Sequence, residues 1–327
     1  MSFKICTVGC GNMSLSGHGP SYKRYAALHK DTILAACCDI DEEKASTFRT
    51  GFGFLRYYTD FEEMLDTEKP DAVCLVVPEH MTASLSIRIL EKGYPLMMEK
   101  PPGLNYDETI RMIEAAEKHN TPNQVAFNRR YMPMVKKLRE LIAEEKIHNL
   151  RYDFYRVGRF DEDFATTAIH GIDAARYLAG SDYSYIRFDY QPLPEFGPNV
   201  ANIMMYCKFE SGAEAQLSFC PVSGIVAERV VINSYDNTWF MNLPIWNAAD
   251  FPGRLVHYHR GNLVADISGN EICEPDLYIN NGFYNENESF FEDIRAGRKP
   301  GGDLKSALQS VVISDYIRKR KTEYRKC

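Results

Sequence analysis

Four short apolar runs punctuate the first hundred residues: "FKICTVG" (3–9), "TILAACC" (32–38), "DAVCLVVP" (71–78) and "YPLMME" (94–99). A strand with one wet face alternates apolar and polar residues. A nearly continuous apolar run marks a strand covered on both faces. Helix-like stretches separate the runs. One extends from about Pro20, well placed in a first turn where its missing N–H has no partner anyway, to His29. Asp60 with Glu63 and Asn105 with Glu108 fit capping boxes at two further helix starts. Strand, helix, strand in repetition predicts an α/β fold with a doubly wound parallel sheet over residues 1–125, and "QVAFN" (124–128) as its last short strand.

Beyond residue 125 the rhythm changes. "PMVKKLRELIAEEK" (133–146) places Met134, Leu138, Leu141 and Ile142 on one helical face. In "NLRYDFYRVGR" (149–159), Leu150, Tyr152 and Phe154 face one way, and Arg151, Asp153 and Tyr155 the other. Similar strands are expected near 184–190, 201–209, 213–220, 226–234 and 254–259, with a helix over "TTAIHGIDAARYLAG" (166–180) capped by Gly180. This predicts an α+β domain, residues 126–327, with an open, mainly antiparallel sheet. Its tail (285–321) reads as two helices split by "GRKPGG", the second capped by Asp303 and able to pack back on the first domain. Two domains suit a chain of 327 residues.

"TVGCGNMS" (7–14) sets Gly9, Gly11 and Ser14 in a G-x-G-x-x-small arrangement at the end of the first strand, followed by an enlarged loop, "LSGHGP" (15–20). Two such glycines allow a tight turn and close approach of a pyrophosphate, with Asn12 and Met13 beside it; the bland alternative is a plain strand–helix turn. Asp39 closes the next strand. A carboxylate there accepts from both hydroxyls of an adenosine ribose and repels a 2'-phosphate, which favours NAD over NADP. The net charge of -7 argues against nucleic acid as a partner. Nine cysteines without a C-x-x-C, several inside apolar runs, read as reduced core residues of a cytoplasmic protein, and no run is long enough to span a membrane.

"MMEKPPG" (97–103) ends a buried strand with Glu99 and Lys100 and follows them with two prolines, which fix the backbone that aims the lysine. The ordered set of glycine loop, Asp39, Pro78, "EKP", "RYMP" (130–133), "HGID" (170–173) and "SFFEDIRAGRKP" resembles the Gfo/Idh/MocA family of glucose–fructose oxidoreductase, inositol dehydrogenase and the rhizopine-catabolism oxidoreductases, over nearly the whole chain. The resemblance implies an NAD-dependent oxidoreductase that moves a hydride between nicotinamide and a hydroxyl-bearing carbon of a sugar, polyol or sugar derivative. Lys100 and His170 are the implied catalytic pair. Beside a positive ring and partly desolvated, Lys100 is expected to have a lowered pKa and to exchange protons. Pro78, Glu79 and Glu99 join the cofactor side, and the resemblance implies a homodimer or homotetramer through the second domain's sheet.

There are departures. The family usually has Asp four residues before the histidine; here it is Thr166, which carries no charge. It often has His four residues after the proline; here it is Thr82, with His80 earlier. The altered position leaves room for NAD-assisted glycosidase or lyase chemistry with transient oxidation, or for a non-catalytic dinucleotide-sensing regulator. Arg130 and Arg156 are candidates to hold an acidic group on the substrate. The competing reading pairs the arginines of this region with Asp161, Glu162 and Asp163. His257 and His259 in "HYH" point the same way on a strand, but without an evident third ligand no metal is expected.

Overall fold

In the computed structural model, which describes residues 2–161 and 163–326, the chain divides into two compact units. Glu162 lies outside the described residues. The first unit comprises residues 1–128 and 282–311, the second 129–281 and 312–327. The division therefore differs from a single cut at 125/126, because the segment 282–311 joins the first unit.

The first unit alternates strands and helices: β1 (Phe3–Val8), α1 (Gly19–Leu28), β2 (Thr32–Cys38), α2 (Glu42–Phe52), β3 (Arg56–Tyr58), α3 (Phe61–Glu68), β4 (Ala72–Leu75), α4 (Glu79–Glu91), β5 (Leu96–Glu99), α5 (Tyr106–Lys118) and β6 (Asn123–Ala126). All six strands run parallel in the order β3-β2-β1-β4-β5-β6. The order reverses direction between β1 and β4, the point where such sheets open a crevice at their carboxyl ends. Helix starts follow the expected chemistry. Asp60 accepts the N–H of Glu62 and Glu63 at 2.8 and 3.1 Å, and Asn105 that of Glu108 at 2.9 Å. Glu108 returns to the N–H of Leu104 rather than of Asn105, so the box closes one residue early.

Two expectations are corrected. The stretch 15–20 is not a loop: Ser14–His18 wind as one π turn directly into α1, with the Gly19 N–H donating to Ser14 O. The strand β3 was not anticipated, since "RYY" is short, half-exposed and polar at one end.

The second unit opens with α6 (Pro133–Leu141), β7 (Asn149–Tyr155) and α7 (Ala165–Ala179). It continues through β8 (Tyr183–Pro192), β9 (Ala201–Phe209), β10 (Glu214–Cys220), β11 (Ala227–Ser234), β12 (Asn237–Asn242), β13 (Arg254–His259) and β14 (Asn262–Ser268), followed by the short helices α8 (Gly269–Ile272) and α9 (Leu277–Asn280). Then come α10 (Phe283–Arg295) in the first unit, α11 (Leu304–Arg318), whose residues are shared between the units, and β15 (Glu323–Arg325). The nine-stranded sheet has the order β14-β13-β12-β11-β7-β10-β9-β8-β15, antiparallel except where β7 meets β10. As the alternation requires, Leu150, Tyr152 and Phe154 are buried, packing in one core with Ile172 and Leu178 of α7. Gly171 sets the distance between α7 and the sheet: a Cβ there would stand 2.7 Å from the Phe219 ring.

Segment 282–311 belongs with the first unit for identifiable reasons. Phe291 is fully buried against Tyr25, with ring centroids 4.9 Å apart. Arg295 pairs with Asp31 at 2.8 Å, and Gln124 of β6 donates to Glu286 O at 3.0 Å.

Candidate active site

The glycine loop crosses the sheet's reversal point. Gly9 has φ +97°, and a Cβ on it would lie 1.9 Å from Val76 O at the end of β4. Only glycine fits there. Gly11 differs: no heavy atom lies within 4 Å of its would-be Cβ. The fold itself gives no packing reason for glycine at this position, but a backbone cradle for a phosphate does. Ser14, the small residue that stands third, is buried and donates its hydroxyl to Gly9 O at 2.6 Å, closing the turn.

Asp39 is tied to that loop. Its Oδ2 accepts the Cys10 N–H at 2.8 Å and its Oδ1 the Asp41 N–H at 3.0 Å. A carboxylate has about four acceptor sites, so two remain for a pair of ribose hydroxyls. Cys10 itself is buried, and its hydrogen bond to the Cys37 thiol, together with burial, pushes its pKa far up; it is a packing thiol and not a nucleophile. Asn12 and Met13 stand exposed at the head of the π turn. Gly9, Gly11 and Asp39 thus fit a dinucleotide, on the open space at Gly11 and the spare acceptor capacity of Asp39.

Pro78 precedes α4, and Glu79 and His80 are exposed in its first turn. Thr82 is buried and donates to Pro78 O at 3.4 Å, so it braces the turn. At the end of β5, Glu99 Oε2 accepts the Lys100 N–H at 2.9 Å, and Glu99 Oε1 lies 2.9 Å from His18 Nε2. Burial works to raise the Glu99 pKa, but the His18 hydrogen bond and the charge of Lys100 outweigh it and hold the carboxyl below its ordinary range. Lys100 is half-buried and its peptide bond to Pro101 is cis. A surface cleft of about 230 Å3 bordered by Thr121, Asn123, Pro300 and Leu304 sits at the amino end of β6, the opposite end of the sheet from Lys100.

In the second unit, His170 is half-buried on α7, beside Gly171. Asp173, one turn on, is buried and takes both forks of Arg130 at 2.6 and 2.7 Å. Arg156 pairs with buried Glu228, which also accepts from Arg129 at 2.7 Å and from the Tyr152 hydroxyl at 2.6 Å. Burial alone would raise the Glu228 pKa; the charges of Arg129 and Arg156 reverse this and bring it down to about 2. Arg130 and Arg156, expected to reach a substrate's acidic group, therefore have their charges on buried carboxylates of the protein. The competing expectation is met by Arg159, which pairs with Asp161 at 2.6 Å. Thr166 donates its hydroxyl to Asp163 O at 2.9 Å, and the Asp163 carboxylate pairs with Arg318 at 2.6 Å. His257 and His259 converge on one amide oxygen, Asn237 Oδ1, at 2.9 and 3.0 Å. Among the described residues no group of three or more metal-ligating side chains occurs, and no helix is long and apolar enough to cross a membrane.

His18 and Asn287, buried behind Glu99 and hydrogen-bonded to each other, are residues that sequence reasoning missed. The available signal was a histidine set between two glycines in an otherwise small-residue stretch, a setting that only close packing explains.

Comparison with known proteins agrees with the fold of the first unit. Residues 3–127 match the family model described as an oxidoreductase family with an NAD-binding Rossmann fold. The chain is 27% identical over 227 residues to myo-inositol 2-dehydrogenase of Thermotoga maritima, covering 64% of this chain and 66% of that one. It is 25% identical to scyllo-inositol 2-dehydrogenase (NAD(+)) of Bacillus subtilis, over 76% of this chain and 74% of that one. Across three curated relatives the chain spans 43%, 66% and 60% of their length. The solved structure of an aldose-aldose oxidoreductase from Caulobacter crescentus shares the fold, with TM-score 0.82, 17% identity and full coverage of both chains.

Proposed function

We propose that this chain, whose residues 3–127 belong to the Gfo/Idh/MocA oxidoreductase family with its NAD-binding Rossmann fold, oxidises a hydroxyl-bearing carbon of a sugar, polyol or sugar derivative, using NAD rather than NADP. The observation that carries the reading is the convergence of Gly11, Asp39 and Lys100 on the carboxyl ends of β1, β2 and β5 in one parallel sheet. The inositol dehydrogenases among the relatives supply the substrate class.

When bound, NAD supplies the hydride acceptor. The protein's own groups do the rest. Gly9 and Gly11 hold the chain so that backbone N–H groups at the start of the π turn receive a pyrophosphate. Asp39 accepts the adenosine ribose hydroxyls, and its charge rejects a 2'-phosphate. Pro78 and Glu79 border the nicotinamide side. Lys100 takes the proton of the reacting hydroxyl, held in place by Glu99, and His170 is the second proton-handling group. Thr166, neutral and bonded to the Asp163 carbonyl, orients without adding charge. Self-association through the outer face of the nine-stranded sheet completes the reading. One row across that face runs Val256, Phe240, Val231, Arg151, Gln216, Tyr206 and Arg187. Phe240 and Tyr206 are 44% and 40% exposed in it.

The test is spectrophotometric: purified protein, NAD, and a panel of inositols, aldoses and sugar acids, followed at the NADH band. Reduction by one class establishes it. Turnover without net NADH would replace it with transient redox chemistry, and tight NAD binding without turnover would point to a sensor.

A further inference from the structure

We infer that His18 is a positioning residue: it holds Glu99, and through Glu99 the main chain at Lys100, in one place, while Asn287 holds His18 in the tautomer that does so. The inference rests on the reading of Lys100 as the proton-handling group.

The connection can be followed atom by atom within the first unit. Asn287 Nδ2 donates to Phe283 O, one turn earlier on α10, at 2.7 Å. That bond fixes the amide's orientation, since a flipped amide would set oxygen against oxygen. The same nitrogen lies 3.0 Å from His18 Nδ1 and must donate to it. Nδ1 is then the acceptor of a neutral imidazole, so the ring proton sits on Nε2 and is donated to Glu99 Oε1 at 2.9 Å. The other oxygen, Oε2, accepts the Lys100 N–H at 2.9 Å. Each oxygen of Glu99 thus has its own donor, and the carboxylate is held at both ends.

The surroundings are built to keep this arrangement. His18 is 1% exposed and Asn287 is fully buried. The amide oxygen of Asn287 is buried and accepts no hydrogen bond, so the side chain is set to present its nitrogen to His18 at the expense of its oxygen. Glycines flank the histidine because the neighbours leave no room. A Cβ at Gly17 would stand 2.7 Å from the Phe283 ring, and one at Gly19 2.6 Å from the Phe52 ring. The π turn itself supplies the reach, by delivering His18 from the glycine loop to the end of β5. Orienting partners of this kind matter because a reacting group displaced by about 1 Å can lose about 100-fold in rate.

The experiment compares His18→Leu, His18→Gln and Asn287→Leu with the wild type in the full chain. The Gln amide can replace the imidazole N–H toward Glu99; Leu cannot. Three readouts are taken: NADH affinity by fluorescence, kcat and KM on the compound that the wild type oxidises, and the Lys100 amide resonance in a 1H–15N spectrum. His18→Leu is expected to lower kcat by about 10–100-fold with NADH affinity little changed and the Lys100 amide displaced. His18→Gln is expected to restore most of both. Where His18→Leu fails to fold, Asn287→Leu, which keeps the ring but releases its tautomer, is expected to shift the Lys100 amide in the same direction. If the wild type oxidises nothing, the proposed function falls while the amide resonance still judges the positioning chain. An unmoved Lys100 amide in His18→Leu or Asn287→Leu overturns the inference. So does a loss of kcat in His18→Gln equal to that in His18→Leu.

Discussion

Gly9 and Gly11 stand two residues apart in one loop, yet their surroundings differ, and substitution separates the roles proposed for them. In Gly9→Ala the new methyl would sit 1.9 Å from Val76 O, at least about 1.1 Å inside the closest approach that real Cβ atoms make. The obstacle is backbone, and the Val76 N–H is itself bonded to Val8 O at 2.8 Å, so yielding would break the join between β1 and β4. The forced shift costs about 1–3 kcal/mol. Holding Ala at φ +97° costs about another 1–2 kcal/mol. The total is about 2–5 kcal/mol, and for a unit of this size each kcal/mol moves the melting midpoint by about 2–4 °C. Gly9→Ala is therefore expected to melt roughly 4–20 °C lower. In Gly11→Ala the methyl meets no protein atom within 4 Å, so stability should change by less than about 0.5 kcal/mol. What it obstructs is the approach of the pyrophosphate. Losing a charge-assisted backbone hydrogen bond of about 1.5–3 kcal/mol weakens binding about 10–100-fold. Calorimetry and NADH fluorescence titration on both variants check this. Gly11→Ala that binds NADH like the wild type would refute the placement of the cofactor, and Gly11→Ala that melts with Gly9→Ala would refute the division of roles.

Three further outcomes follow from named contacts. Glu228→Gln leaves Arg129 and Arg156 buried without their anion and should cost about 3–5 kcal/mol in urea unfolding. Because the folded pKa of Glu228 is depressed to about 2 from 4.5, its contribution is fully present above pH 4.5 and is lost as pH falls through about 2. Denaturation midpoints at roughly pH 5, 3 and 1.5, which bracket that window, should fall steeply in the wild type and more shallowly in Glu228→Gln. Asp39→Ser removes the carboxylate proposed to accept the ribose hydroxyls. NAD affinity should fall about 10–100-fold while the ratio of NADP to NAD affinity rises, read by competitive titration against NADH.

Legibility followed physics residue by residue. "TILAACC" and "DAVCLVVP" announced β2 and β4, because strands buried on both faces have no room for polar residues. Asp60 and Asn105 marked helix starts because orphan N–H groups need local acceptors. Edge and hairpin strands such as β3 and β14 left no such trace, since their exposed faces accept most side chains. The π turn at Ser14–His18 was hidden for another reason: "LSGHGP" has the composition of a loop, and the rings of Phe283 and Phe52 that crowd its glycines are distant in sequence. The return of α10 to the first unit depends on long-range partners, Asp31 and Tyr25 for Arg295, more than 260 residues away. The placement of Gly9, Asp39 and Lys100 at the ends of β1, β2 and β5 was readable because their motifs are local. The buried partners of Arg130 and Arg156 were not, because Asp173 and Glu228 lie 43 and 72 residues from them.

The proposed reaction requires Lys100 to act on a bound sugar or polyol in the presence of NAD. The direct measurement is the growth of NADH absorbance when the wild type and Lys100→Ala are each given NAD and the panel of inositols, aldoses and sugar acids. NADH is expected from one class of compound with the wild type, and none with Lys100→Ala although it still binds NADH. Equal rates from the two proteins would contradict it.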